Sequence, residues 1–235
     1  MLNTMVAEEL KDFYEELNGA EDMESALKAL IKKVLTEHRR IIFNGDNYSD
    51  EWVEEAEKRG LCNYKSLPDA MEHYIDKKNV ELFASNGIVT EAEMRARYEI
   101  ELEQYSKLLN IEALTMLQMA KKDIAPAVMK FVKELSEAVA VKKSVSSNLS
   151  TYAEEQVLES LSEKLEKFVK KTGELENALT KASDCAGDNL ALAKYYRNTV
   201  FERMQELREL GDSMESETYS EYWPYPSYGE ILFGV

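Results

Sequence analysis

Between residues 158 and 182 the apolar positions of this chain advance by alternating steps of three and four: Leu158, Leu161, Leu165, Phe168, Thr172, Leu175, Leu179 and Ala182. A strand would expose every second one of these residues, whereas a helix gathers them all on one stripe. Such a stripe is a heptad seam, with Thr172 as its one polar member. The helix that carries it starts near Thr151 and runs to about residue 183, ~50 Å at 1.5 Å per residue. An isolated helix of this kind is only marginally stable in water, so the seam demands partner helices.

The neighbouring sequence supplies them. Thr90-Glu91-Ala92-Glu93 fits a capping box and opens a long helical stretch to about Val145, in which Pro126 should kink the helix or split it in two. Thr151-Tyr152-Ala153-Glu154 is a second candidate capping box. After Ala186-Gly187-Asp188 a further helix runs to about Tyr219, with Ala193, Tyr196, Val200, Met204, Leu207, Gly211 and Met214 on one stripe. Two consecutive steps of four there form a stutter, which locally unwinds a coiled coil. Loops at 144–150 and 184–188 are short enough to make sequential helices antiparallel neighbours. The expectation is therefore an all-α fold. An elongated antiparallel helical bundle or coiled coil covers 90–219, and smaller helices occupy 21–89. Those smaller helices run from about Met23 to Ile41, from Ser49 to Gly60, and onward from Ser66-Leu67-Pro68-Asp69. A first helix spans about 4–17 and stops at Asn18-Gly19.

Two stretches break the helical pattern. "IIFNGDNYSDEW", residues 41–52, joins an Asn-Gly turn to acids, amides and a hydroxyl. Asp46, Asp50 and Glu57 fall on the first, fifth and twelfth positions of a calcium loop, yet Tyr48 takes the third and Glu51 the place of the turn glycine. Local capping accounts for the same residues: Ser49 can accept a backbone hydrogen bond, and Asp50 and Glu51 suit the positive end of a helix. The other stretch is 220–235, rich in aromatics and carrying Pro224 and Pro226. It is expected to dock in extended form on a helical surface, the chain's own or a partner's.

Chemistry is hard to find. With a net charge of −16 over 235 residues, the surface disfavours nucleic acid and anionic lipid. No segment reaches the ~20 apolar residues of a membrane span. The N-terminal residues Glu8, Glu9, Lys11 and Asp12 do not read as a signal peptide, and Cys62 and Cys185 form no CxxC pair, so a cytoplasmic location is expected. Neither His38 nor His73 follows a Glu by three residues, so no di-metal Glu-x-x-His pair exists. Glycine-rich phosphate loops are absent. Taken by themselves, the residues predict no catalytic, cofactor-binding or metal site.

Several segments nonetheless resemble one family. "LNTMVAEEL" (2–10), "RRIIFNGDNYSDEWVEEAEKRGL" (39–61) and "NVELFASNGIVTEAEMRARYEIELEQYSKLLNIEALTMLQMAKKDIAPAV" (79–128) are similar to the C-terminal region of type III glutamine synthetases. So are "YYRNTVFERMQELREL" (195–210) and "YWPYPSYGEILF" (222–233), whereas 142–188 carries little beyond heptads. The resemblance implies a parent enzyme that condenses glutamate with ammonia at the expense of ATP, with magnesium or manganese, and that assembles as stacked hexameric rings. It implies that residues 1–20 are a remnant helix of the upstream catalytic domain. It transfers no catalytic residue to this chain, which is expected to be inactive alone. The implied partners are the catalytic core of the same synthetase and neighbouring subunits. Tyr48, Trp52, Tyr222, Trp223, Tyr225 and Phe233 are the candidate residues for that inter-domain or subunit contact. An alternative of another class is a standalone helical interaction or adaptor module derived from the family.

Overall fold

The computed structural model describes residues 2–185, 187–226 and 228–233. It is all-α, as the periodicity requires, and no strand occurs among the described residues. Among the described residues eleven α-helices follow one another: α1 (Leu2–Leu17), α2 (Met23–Glu37), α3 (Asp50–Lys58), α4 (Leu67–Met71), α5 (Lys77–Ser85), α6 (Glu91–Met119), α7 (Ala125–Val145), α8 (Tyr152–Lys181), α9 (Asn189–Tyr195), α10 (Phe201–Glu215) and α11 (Tyr228–Phe233). The chain forms two compact units, Met1–Glu101 and Leu102–Val235.

In the second unit the seam of α8 is the core. Leu161, Phe168, Thr172, Leu175, Ala178 and Ala182 are buried, and Thr172 satisfies its hydroxyl by donating to the Phe168 carbonyl at 2.8 Å. The one polar seam residue thus carries no unpaired group into the interior. Opposite it, Ala193, Tyr196, Val200, Met204, Leu207, Gly211 and Met214 are all buried, the full stripe read from the sequence.

Polar pairs show the direction of packing. Lys121 pairs with Glu176 at 2.6 Å, while Lys142 and Lys143 pair with Glu154 and Glu155. Numbers rise along α7 as they fall along α8, so the two run antiparallel. On the other flank Lys164 pairs with Glu217 at 2.5 Å and Lys171 with Glu206 at 2.9 Å, and the Tyr195 hydroxyl donates to the Ala178 carbonyl at 2.9 Å. Half-exposed ion pairs of this kind contribute on the order of 0–1 kcal/mol each; they select register, and the buried seam supplies the stability.

The long stretch divides into α6 and α7 just before Pro126, one of the two outcomes its sequence allowed. A π-turn, Ala120–Ile124, leads from α6 into α7, with Pro126 in the first turn that follows. Proline has no N–H to give and its ring crowds the preceding turn, and widening to π geometry relieves both demands. A second π-turn, Tyr196–Val200, lies between α9 and α10, within the stutter. Successive steps of four overrun the 3.6-residue turn, and one wide turn absorbs the excess residue.

The first unit is more thinly packed. Its buried apolar residues include Leu30, Met71, Phe83 and Met94. Helix α1 lies against α2 and α5, tied by Lys33–Glu16 at 2.7 Å and by Asn86 Nδ2 donating to Glu8 at 2.8 Å. The Thr90 capping box forms: Glu93 accepts from the Thr90 N–H at 2.7 Å, and the Glu93 N–H reaches the Thr90 hydroxyl at 3.3 Å. The second box does not. Thr151 makes no side-chain cap bond, and Glu154 and Glu155 pair with the lysines of α7. Nor does α2 reach Ile41; it ends at Glu37, and a tighter 3₁₀ turn covers Arg39–Ile41.

Candidate functional site

The joint at residues 38–60 is organised by Arg59. Its guanidinium donates to the Ile42 carbonyl at 2.9 Å and the Arg40 carbonyl at 3.3 Å, and to Glu55 at 2.6 Å. It also lies 5.6 Å from the ring centre of Trp52. Trp52 in turn stacks on Phe43, with centroids 4.3 Å apart. Gly45 leaves room for the Phe43 ring: a Cβ there would sit 2.7 Å from it and the ring would have to move. These contacts fold the apolar run back on α3 and occupy Trp52 locally.

The acids of the joint serve the turn. Asp46 accepts from the Tyr48 N–H at 2.9 Å, and Ser49 donates to the Asp46 carbonyl at 3.1 Å. Contrary to the sequence expectation, Ser49 gives α3 no side-chain cap. The hydroxyl has one hydrogen to share between the Asp46 carbonyl and the Glu51 carboxylate, and its bonding to Glu51 holds that carboxyl below its ordinary range. Tyr48 projects from the turn, 99% exposed. No group of three or more His, Cys, Asp or Glu that could hold a metal occurs among the described residues. His73 stacks on Tyr64 at 4.7 Å and lies 3.2 Å from Asp76; His38 is exposed.

The aromatic tail belongs to the second unit. Trp223 packs against the hydrophobic core there, Tyr222 donates to Glu134, and Tyr225 donates to Asp123 at 2.8 Å. Burial, then the Asp123 carboxylate, pushes the Tyr225 phenol up to about 12. The tail is extended only in part: Tyr228–Phe233 forms α11, since both prolines precede it and nothing in "YGEILF" obstructs a helical turn. Phe233 is 80% exposed. The six candidate contact residues therefore fall in different settings. Trp52, Tyr222, Trp223 and Tyr225 are engaged within the chain, while Tyr48 and Phe233 remain open.

A feature the sequence reading passed over is the exposed apolar face of the first two helices. Leu2, Val6, Leu10 and Tyr14 on α1, and Met23, Leu27, Ile31 and Leu35 on α2, recur at steps of four and are all exposed. Ile31 and Leu35 line a groove of ≈440 Å³ together with Lys28, Lys32 and Arg39. Periodicity gives such rows a common helix face; whether that face is covered in the packed unit is not readable from it.

The chain belongs to the glutamine synthetase C-terminal domain family, whose model matches residues 26–143. It is 40% identical over 217 residues to a glutamine synthetase of Butyrivibrio fibrisolvens, covering 92% of this chain and 31% of that protein. It is 32% identical over 239 aligned residues to the type-3 glutamine synthetase of Dictyostelium discoideum, covering 99% of this chain and 32% of that protein. A glutamine synthetase of Bacteroides fragilis (strain YCH46) is 27% identical, with 99% of this chain and 33% of that protein covered. The chain spans about a third of the length of these curated relatives.

Proposed function

We propose that the chain is the helical structural and assembly region of a type III glutamine synthetase, the cytoplasmic enzyme that joins glutamate and ammonia with ATP. The observation that carries this reading is the pair of apolar stripes on α1 and α2. Leu27, Ile31 and Leu35 leave about half their surface in water, and covering the rest would recover on the order of 1 kcal/mol each. Contiguous exposed apolar rows mark a surface made to be covered. The curated relatives are about three times as long, and the remainder of such an enzyme is the cover proposed here. ATP and magnesium or manganese are proposed to bind in that remainder. In this role the chain contributes packing between domains and between subunits, without catalytic residues of its own.

The test is to place Ile31→Ser and Leu35→Ser together in the longer enzyme and measure its assembly by sedimentation. Both side chains are exposed in the chain by itself, so the 235-residue polypeptide should keep its helical content. The longer enzyme should lose assembly and synthetase activity together. Unchanged assembly and activity would overturn the reading.

A further inference from the structure

Helix α6 is apolar on two opposite sides. Leu109, Ala113 and Leu117 turn to the core and are buried, whereas Leu108, Ile111 and Leu114 turn away from it and are 54%, 61% and 52% exposed. At ~3.6 residues per turn this outward face is centred on Ile111, with Gln104 and Gln118 nearly in line with it and Leu108 and Leu114 on either side. Gln104 and Gln118 are exposed as well. Lys107, paired with Glu103 at 2.6 Å, is the charged side chain of the face, and Glu112 stands at its edge. The outward face of α8 makes the contrast: there Glu163 pairs with Lys167 and Glu166 with Lys170 in solvent. A helix that is apolar on both sides is built to be covered on both.

The order of residues on the face says what covers it. Read outward from Ile111, it is the same in both directions: Leu108 and Leu114 first, then Gln104 and Gln118 at equal distances. A second copy of α6, laid antiparallel with a two-fold axis at Ile111, therefore meets its like. Ile111 lies against the second copy's Ile111, and Leu108 comes level with its Leu114. Gln104 faces its Gln118, where each side-chain amide has both a donor and an acceptor to offer. Charge follows the same axis. Glu103 lies before the centre, and Lys121 and Lys122 lie after it. Antiparallel pairing thus brings the acidic end of one copy to the basic end of the other, whereas parallel pairing would set like charges together.

We propose that this face of α6 is a self-pairing surface whose partner is a second copy of the chain, held antiparallel about Ile111. From Gln104 to Gln118 it is ~21 Å long at 1.5 Å per residue, a size that suits a weak, reversible dimer. The inference stands on α6 within the second unit and does not depend on the assembly reading, which uses α1 and α2.

The test uses the 235-residue chain. Sedimentation equilibrium should show a monomer–dimer equilibrium that depends on concentration. Ile111→Glu sets two like charges on the axis and should weaken the dimer at least about tenfold. Helical content should be unchanged, because that side chain is exposed. Ile31→Ser with Leu35→Ser should leave the dimer as it was. Disulfide trapping reads the register separately, in a Cys62→Ser, Cys185→Ser background. There Ile111→Cys should crosslink to itself. Gln104→Cys and Gln118→Cys should each fail alone and crosslink when mixed. A chain that stays monomeric, with its Ile111→Cys thiol blocked only in the longer enzyme, would give the face to that enzyme's remainder and overturn the proposal. So would a dimer that survives Ile111→Glu, a dimer lost with the α2 pair, or Gln104→Cys crosslinking to itself.

Discussion

Tyr225 donates its phenolic hydrogen to Asp123 at 2.8 Å, across 102 positions of sequence. Asp123 stands in the π-turn that precedes Pro126, so the tail is fastened where the long helix departs from α geometry. Removing that hydroxyl leaves a half-buried carboxylate without its donor. Tyr225→Phe should therefore destabilise the chain by about 1–2 kcal/mol, measured as a lower urea midpoint with an unchanged slope. Tyr222→Phe should cost less, because the pair with Glu134 is exposed.

The same phenol sets an alkaline limit. Its folded-state value is raised, to about 12, so the stability it contributes is complete below the ordinary tyrosine range, near ~10, and is lost as pH rises through 12. An absorbance titration at the phenolate band should show a late-ionising tyrosine that vanishes in Tyr225→Phe. Persistence of that late step in the variant would contradict the assignment.

Glu93 sets a limit at the acid end. The Thr90 N–H and hydroxyl hold its carboxyl below the ordinary range, so its contribution is present at neutral pH and is lost as pH falls through that depressed value. Glu93→Gln should accordingly be less stable than the parent near pH 7, with the gap closing in acid. Thermal melts of the two across that range decide it.

Seam and stripe should respond in opposite ways to truncation. Leu175→Ala, in the closed core of α8, should cost roughly 2–5 kcal/mol. Leu35→Ala, on the exposed stripe of α2, should stay within about 0.5 kcal/mol in this chain. Denaturant unfolding of both variants makes the comparison.

Glycine positions give a local test of the joint. Gly45→Ala forces the Phe43 ring from its place and should unstack it from Trp52, shifting Trp52 emission toward the red in a Trp223→Phe background. Gly173→Ala meets nothing within 4 Å in the middle of α8. It should stabilise the chain by about 0.5–1 kcal/mol.

What the sequence determined by itself was periodic. Steps of three and four made residues 158–182 and 193–214 helical and named most of the residues they bury, because the spacing of apolar side chains around a helix is a local, geometric fact. Leu158, Leu165 and Leu179 are only half-buried, however, and Ala178 was not named. The Thr90–Glu93 cap was legible for the same reason, since both partners lie within one turn. Tertiary structure decided what local spacing leaves open. Glu154 pairs with Lys142 of α7, and the box at Thr151 does not close. A π-turn precedes Pro126 and another lies within the stutter, and neither wide turn is legible from apolar spacing alone. Trp52 is held by Phe43 and Arg59, and Tyr225 by Asp123. The stripe on α2 reads like the seam of α8, yet one is exposed and the other closed; periodicity reports a face and not what lies against it.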